Sequence, residues 1–145
     1  MDKSRILSKI DEMDKYLSEL EEIKPKSFEE YVNSVKDKRA CERILQILIE
    51  SVIDVCNLFV SGLKLGLPSD EDDLFIKIEN KKIITKKMKG ILKDMKGFRN
   101  ILVHKYGEVD DEIVFEMLSE KLEDFDIFKK EILSYVKELE ENLAF

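Results

Sequence analysis

The segment from Arg39 to Val60 restricts the possible folds more than any other part of the sequence. It is apolar on most sides of a helix, and such a helix is buried on more than one side. Its exceptions recur every three or four residues and therefore share one face. They are Arg39, Arg43, Gln46, Glu50, Asp54, Asn57 and Ser61. We predict a central helix whose polar stripe is either a solvent edge or the floor of a polar cleft or dimer interface.

Helical periodicity continues on both sides of this segment, and no convincing strand is present. The predicted helices cover about residues 2–22, 27 to 62 or 66, 70–78, 82–103 and the chain after Asp110, which is predicted to cap the helix that follows it. The final helix is predicted to carry these apolar residues on one side: Leu118, Leu122, Phe125, Ile132 and Val136. The sequence therefore predicts an all-α fold, a four- to five-helix up-and-down bundle in a single domain spanning residues 1–145.

Basic side chains are concentrated in one segment, residues 77–105, which we call the basic strip. It carries ten basic and two acidic side chains, a net charge of +8, in a chain whose net charge is −7. The strip is either a solvated lysine-rich helix face or a surface that attracts phosphate groups. The acidic total excludes a general nucleic-acid coat protein, but it does not exclude binding of phosphate groups at the basic strip alone.

Several classes of protein are excluded by simple features. No run of about 18 apolar residues is present, and the N-terminus lacks the apolar region of a signal peptide, so we expect a cytoplasmic protein without a membrane span. Cys41 and Cys56 would lie roughly 22 Å apart on one helix and are predicted to be reduced. His104 is the single histidine, which argues against a metal site built on histidines. We expect no metal and no cofactor.

Residues 99–106 read R-N-I-L-V-H-K-Y and contain the most reactive side chains of the sequence. The guanidinium of Arg99 suits a phosphate, and an imidazole at a helix end can act as a general base. On a continuous helix Arg99 and His104 diverge by about 140°. They converge only if the helix ends near His104 or if a second chain takes part. A purely structural interpretation makes Arg99 and Asn100 capping or ion-pairing residues.

This octapeptide resembles the R-x4-H-x-Y motif of the HEPN superfamily, specifically of the HepT-like toxins of HEPN/MNT toxin–antitoxin pairs. Arg99, His104 and Tyr106 match the motif, and Asn100 matches the polar residue that commonly follows the arginine. Residues 39–57 are similar to the second-helix pattern of that group. The resemblance extends over about residues 5–140.

The resemblance implies a metal-independent endoribonuclease that forms a homodimer, with the arginine and the histidine in a cleft near the dimer interface. It also implies a cognate MNT-type nucleotidyltransferase antitoxin that inhibits the toxin by adding AMP units to Tyr106. In this interpretation His104 is the general base for RNA cleavage, and Arg99 stabilises the charge that develops on the phosphate. Both are the expected catalytic residues, while Asn100 and Tyr106 support the site.

The polar stripe gains a second interpretation from the same resemblance. Glu50 or Asp54 is a candidate to orient His104 or to hold Arg99 across the bundle. Arg39 and Arg43 are candidates for contacts with RNA, and the basic strip is a candidate to guide the phosphate backbone.

Two alternatives remain open on the sequence. One is a non-catalytic HEPN module that binds a nucleotide or the nucleotidyltransferase, which the acidic total charge and the absence of an evident general acid favour. The other is a purely structural helical adaptor.

Overall fold

The computed structural model describes residues 1–104 and 109–143, and every regular element within these ranges is a helix. The elements in chain order are α1 (Lys3–Ile23), α2 (Phe28–Asn33), α3 (Val35–Gly62), α4 (Glu71–Asn80), α5 (Lys86–His104), α6 (Asp111–Glu120) and α7 (Glu123–Leu143). Four are long and three are short. The predicted all-α class is confirmed.

The long central helix lies in the middle of the bundle, as its apolar composition predicts. Helix α3 packs against α1, α2, α4 and α5, and the ring of Phe59 contacts that of Tyr135 on α7 edge to face. Side chains on several sides of α3 are therefore removed from water, which supplies most of the free energy that favours folding. The fully buried ones include Cys41, Leu45, Leu48, Ile49, Val55, Cys56 and Phe59.

The prediction of one helix from Ser27 to Gly62 is wrong, because the chain breaks at Ser34. The backbone of Ser34 is extended, with φ −120° and ψ 101°, and cannot continue the helical hydrogen-bond ladder. The Ser34 hydroxyl accepts a hydrogen bond from the backbone N–H of Asp37 at 3.2 Å. A serine that caps the following helix in this way separates α2 from α3.

Helix α5 begins four residues later than predicted. Lys82 has a φ of 63°, in the left-handed region, and the chain then buries Ile83 and Ile84 before the helix starts. The hydroxyl of Thr85 accepts from the backbone N–H of Met88 at 3.1 Å, and the carboxylate of Glu131 on α7 accepts from the Thr85 backbone N–H at 2.7 Å. These two contacts define the first turn of α5.

The predicted final helix is also divided. Leu118 belongs to α6, and the chain turns at Lys121, whose φ and ψ of −118° and 3° end that helix. Leu122 lies in the turn, whereas Phe125, Ile132 and Val136 are buried on α7. The capping role predicted for Asp110 is confirmed, since its carboxylate accepts from the backbone N–H of Glu112 at 2.9 Å.

Within the described residues, α3 is also the helix whose length and composition would suit a membrane span. Of its most apolar 18-residue window, 56% is buried inside the bundle. Packing against the neighbouring helices therefore accounts for over half of this window.

Candidate active site

Packing against α3 and α4 determines which side of α5 each functional residue occupies. The apolar residues of α5 that face the core are Met88, Leu92, Met95, Phe98 and Leu102. Arg99 follows Phe98 in the chain, and the Arg99 side chain is only 16% exposed. His104 is the last residue of α5 and is exposed. The hydrophobic face of the helix thus directs Arg99 towards α4 and leaves His104 accessible to solvent.

The guanidinium of Arg99 has two partners. Its Nη2 donates to Oε1 of Glu71, the first residue of α4, and its Nε donates to Oδ1 of Asn100 at 3.0 Å. Within residues 1–104 and 109–143, Nη1 has no hydrogen-bond partner. Arg99 is therefore held by a carboxylate and an amide while part of its donor capacity stays available.

Arg99 and His104 belong to the same uninterrupted helix. Helical geometry therefore places their side chains about 140° apart around the axis. Helix α5 ends at His104, as the first of the two routes to convergence requires, but the backbone is helical up to that residue and the two side chains diverge within α5. Tyr106, the predicted modification site, lies outside the described residues, as does Lys105.

The polar stripe of α3 finds most of its partners on its own helix. Arg39 pairs with Glu42 at 2.9 Å, and Gln46 donates to Glu50 at 3.0 Å. The amide of Asn57 donates to a backbone carbonyl one turn earlier. These contacts are typical of residues three or four apart on a helix surface.

The expectation that Glu50 or Asp54 holds Arg99 across the bundle is corrected by these contacts. Glu50 accepts from Gln46, and Asp54 pairs with Lys9 of α1 at 3.3 Å. The carboxylate that accepts a hydrogen bond from Arg99 is that of Glu71. Arg39 and Arg43 are both exposed, so their predicted contact with RNA stays a prediction.

Sequence reasoning missed Glu71, although the sequence carries a signal for it. Residues 70–73 read D-E-D-D and directly precede the basic strip. A run of acidic residues at the start of one helix complements a basic face on the next helix if the two pack together. Only the packing of α4 on α5 shows which acid meets which base.

Part of the basic strip is neutralised by that packing. Lys96 donates to Asp72 at 2.7 Å, and Lys89 lies 3.7 Å from Glu79. The hydrogen bond from Lys96 holds the pKa of Asp72 below its ordinary value. Other members of the strip are exposed on α5: Lys86, Lys87 and Lys93. Its face available to a phosphate backbone is thus smaller than the net charge predicts.

The cysteines of α3 are separate from this site. Burial raises the pKa of Cys41 to about 11 and also raises the pKa of the fully buried Cys56. Both are free thiols. Thiols that stay protonated and buried are poor nucleophiles and poor metal ligands. No group of three or more acidic, histidine or cysteine side chains suited to a metal occurs in the part of the chain that the structure describes.

Comparison with known proteins places this arrangement in a family. The model of the family "Ribonuclease HepT-like" matches residues 13–132. The chain is 29% identical to the tRNA nuclease HepT of Aphanizomenon flos-aquae, over 94% of this chain and 92% of that protein. It is 37% identical to the mRNA nuclease HepT of Shewanella oneidensis, over 58% of this chain and 63% of that protein.

A solved structure extends the similarity to three dimensions. The fold is similar to that of the tri-AMPylated HEPN toxin of Shewanella oneidensis in complex with its MNT antitoxin, with a TM-score of 0.83 and 27% identity. The similarity covers 92% of this chain and 99% of that one. The residues that the family model matches include α5 with Arg99 and His104. The family match and the shared fold together show that this chain belongs to the HepT-like family of HEPN proteins.

Proposed function

We propose that the protein is the toxin of a HEPN/MNT toxin–antitoxin pair and acts as a metal-independent endoribonuclease. The observation that carries this proposal is the pair Arg99 and His104 on α5, at the spacing of the family motif and inside residues 13–132 that match the family. The similarity to a tRNA nuclease over nearly the whole chain supports the same activity. We extend the proposed HEPN-like domain to the full 145 residues.

The chemistry assigns one role to each of the two residues. His104, exposed at the end of α5, takes the proton from the ribose 2′-hydroxyl, whose oxygen then attacks the adjacent phosphorus. A 2′,3′-cyclic phosphate forms as the bond from phosphorus to the 5′-oxygen breaks, and the leaving 5′-oxygen takes a proton from the general acid. Arg99 donates hydrogen bonds to the phosphate oxygens as negative charge develops on them. Neither step needs a metal ion. The single histidine of the chain leaves the general acid to a second copy of the protein or to water.

A homodimer is part of this proposal because of the geometry of α5. Arg99 and His104 diverge around one helix, so a second copy related by two-fold symmetry would complete a cleft with its own pair of residues. Exposed Arg39 and Arg43 are proposed to contact RNA beside this cleft, and the exposed lysines of the basic strip on α5 to attract its backbone.

An MNT-type nucleotidyltransferase is the proposed partner, because the structurally similar HEPN toxin is tri-AMPylated and bound to such an antitoxin. We propose Tyr106 as the AMP acceptor, since it holds the tyrosine position of the motif. Each added AMP brings bulk and negative charge to a residue two positions after His104 in the chain and would oppose the binding of RNA. RNA and ATP are both cytoplasmic, and so is the proposed site of action.

The central experiment compares cleavage of total tRNA and mRNA by the purified unmodified protein and its variants in the presence of EDTA. We expect Arg99→Ala to lower the rate by about 100- to 1,000-fold, as for the loss of one donor to a developing oxyanion. His104→Ala should lose at least about 100-fold as the general base. Arg5→Ala, a change at an exposed arginine of α1, is the matched control.

The outcomes separate the proposed activity from its alternatives. Wild-type protein that leaves every RNA uncut, as the His104→Ala variant does, would contradict the nuclease and favour a non-catalytic HEPN module. For the modification, incubation with the cognate transferase and ATP should add AMP mass to wild type but not to Tyr106→Phe. Equal labelling of both proteins would exclude Tyr106 as the acceptor.

A further inference from the structure

The ion pair between Glu71 and Arg99 joins two helices at the site, and both side chains are largely removed from solvent. Glu71 is 33% exposed and Arg99 is 16% exposed. The two residues are 28 positions apart in the sequence, so the contact depends on the packing of α4 against α5. A pair of this kind restricts the rotamers of the arginine more than a pair between two freely exposed side chains does.

The two partners of Arg99 occupy one particular edge of its guanidinium. The planar group presents its N–H bonds in fixed directions, and Nε–H lies on the same side edge as one N–H of Nη2. Asn100 accepts from Nε and Glu71 accepts from Nη2, so both nitrogens of this side edge have a partner. The end edge, formed by Nη1 and the second N–H of Nη2, has no partner within the described ranges. That edge has the spacing to bind two oxygens of one phosphate.

The position of Glu71 is itself well defined by the start of α4. The backbone N–H of Asp73 donates to the carboxylate of Asp70 at 2.7 Å, and that of Ser69 donates to Asp73 at 2.9 Å. This reciprocal capping holds the first turn of the helix. Leu74 and Phe75, one turn further along, are buried in the core. Glu71 is therefore attached to a fixed support.

We propose that Glu71 is a positioning residue for the cleavage reaction. It holds the side edge of Arg99 so that the end edge points outwards, ready to bind the phosphate oxygens in the transition state. This inference rests on the proposed ribonuclease function. An arginine that is already oriented does not have to reorganise when charge develops on the phosphate, and such preorganisation is a main source of electrostatic catalysis.

Kinetics of three variants test the proposal. Glu71→Ala should lower kcat for RNA cleavage by about ten- to 100-fold with little change in KM, since misplacement of a catalytic group acts on the transition state. Glu71→Gln should recover most of the loss, because its amide oxygen can accept the same hydrogen bond. The matched control is Glu79→Gln, which alters another α4 carboxylate that pairs across to α5. It should keep kcat within about twofold of wild type.

A second readout does not depend on activity. The chain has four arginines, so the Nε–Hε signals in a ¹⁵N-labelled sample are few, and Arg99→Lys identifies that of Arg99. Glu71→Ala should shift this signal and broaden it, whereas Glu79→Gln should leave it in place. Circular dichroism on each variant confirms that the helices are retained.

The possible results distinguish the two proposals. Unchanged kcat and an unchanged Arg99 signal in Glu71→Ala would overturn the positioning role, and so would a Gln variant as slow as the Ala variant. If wild type cleaves no RNA, the proposed function fails, while the Nε–Hε signal still decides whether Glu71 holds Arg99.

Discussion

Helices α3 and α5 both carry a polar face, but the two faces obtain their partners in different ways. On α3 most partners of the stripe lie on the same helix, as in the pairs Arg39–Glu42 and Gln46–Glu50, while Asp54 pairs with Lys9 of α1. On α5 the partners come from a different helix, with Lys96 on Asp72 and Arg99 on Glu71. Pairs within one helix are typical of a solvated helix surface. A polar face paired with a neighbouring helix can hold a side chain in a defined orientation.

The first prediction compares the free energy of unfolding of two variants, one on the buried face of α3 and one on its polar stripe. Leu48 is fully buried, and Leu48→Ala is expected to lower the free energy of unfolding by about 2 to 5 kcal/mol, because it removes apolar contacts and leaves a cavity. Gln46→Ala, two residues away on the stripe, should cost no more than about 0.5 kcal/mol. Urea unfolding of both variants at one protein concentration measures the difference. Similar losses would mean that the stripe is part of the core.

The second prediction concerns the pairing between α4 and α5. The hydrogen bond from Lys96 lowers the pKa of Asp72, so Lys96→Met should raise that pKa towards 3.8, as followed by carbon-detected NMR titration. Because the pKa of Asp72 is lowered by folding, the pair stabilises the folded state at pH values above the pKa that Asp72 has in the unfolded chain. This contribution is lost as the pH falls through the folded pKa. Lys89→Met is the control and should leave Asp72 unaffected. An Asp72 pKa that does not respond to Lys96→Met would show that the pair does not form in solution.

The smallest effect is expected at the two thiols of α3. Cys41 and Cys56 lie on its buried side, and burial raises the pKa of Cys41 to about 11. At pH 8 neither thiol should react with iodoacetamide in the folded protein, whereas both should react in urea, as intact mass spectrometry reports. Alanine variants at each position identify which thiol is labelled. Labelling of Cys41 in the native protein at the rate of a free thiol would contradict the burial of this face.

The parts of the fold that depend on periodicity could be predicted from the sequence. The central place of α3 follows from its apolar sides, and the cap at Asp110 follows from local chemistry. The break at Ser34 was missed because the apolar pattern around it stays helical and a single serine hydroxyl decides the local backbone. The start of α5 was missed because Glu131, a residue from the far end of the chain, accepts the hydrogen bond of Thr85.

The candidate site divides in the same way. Arg99, Asn100 and His104 lie within six consecutive residues and could be predicted as one motif. Glu71 could not, since its role depends on how α4 lies on α5, and several other carboxylates on α3 had equally suitable helical spacing. Which side chains meet between two helices depends on how the helices pack, and the spacing of residues along the sequence does not show this.

The ion pair between Asp14 of α1 and Lys129 of α7 has a consequence for the synthesis of this protein. The two residues are 115 positions apart, and the ring of Tyr135 completes the contact with Phe59 on α3. A nascent chain on the ribosome has made α1 to α5, including Arg99 and His104, before α7 exists. The helices that carry the proposed chemistry are therefore translated first, and the bundle around them closes only when α7 emerges. A chain that cleaves RNA would in this way complete its bundle only after the residues of its proposed site have been made.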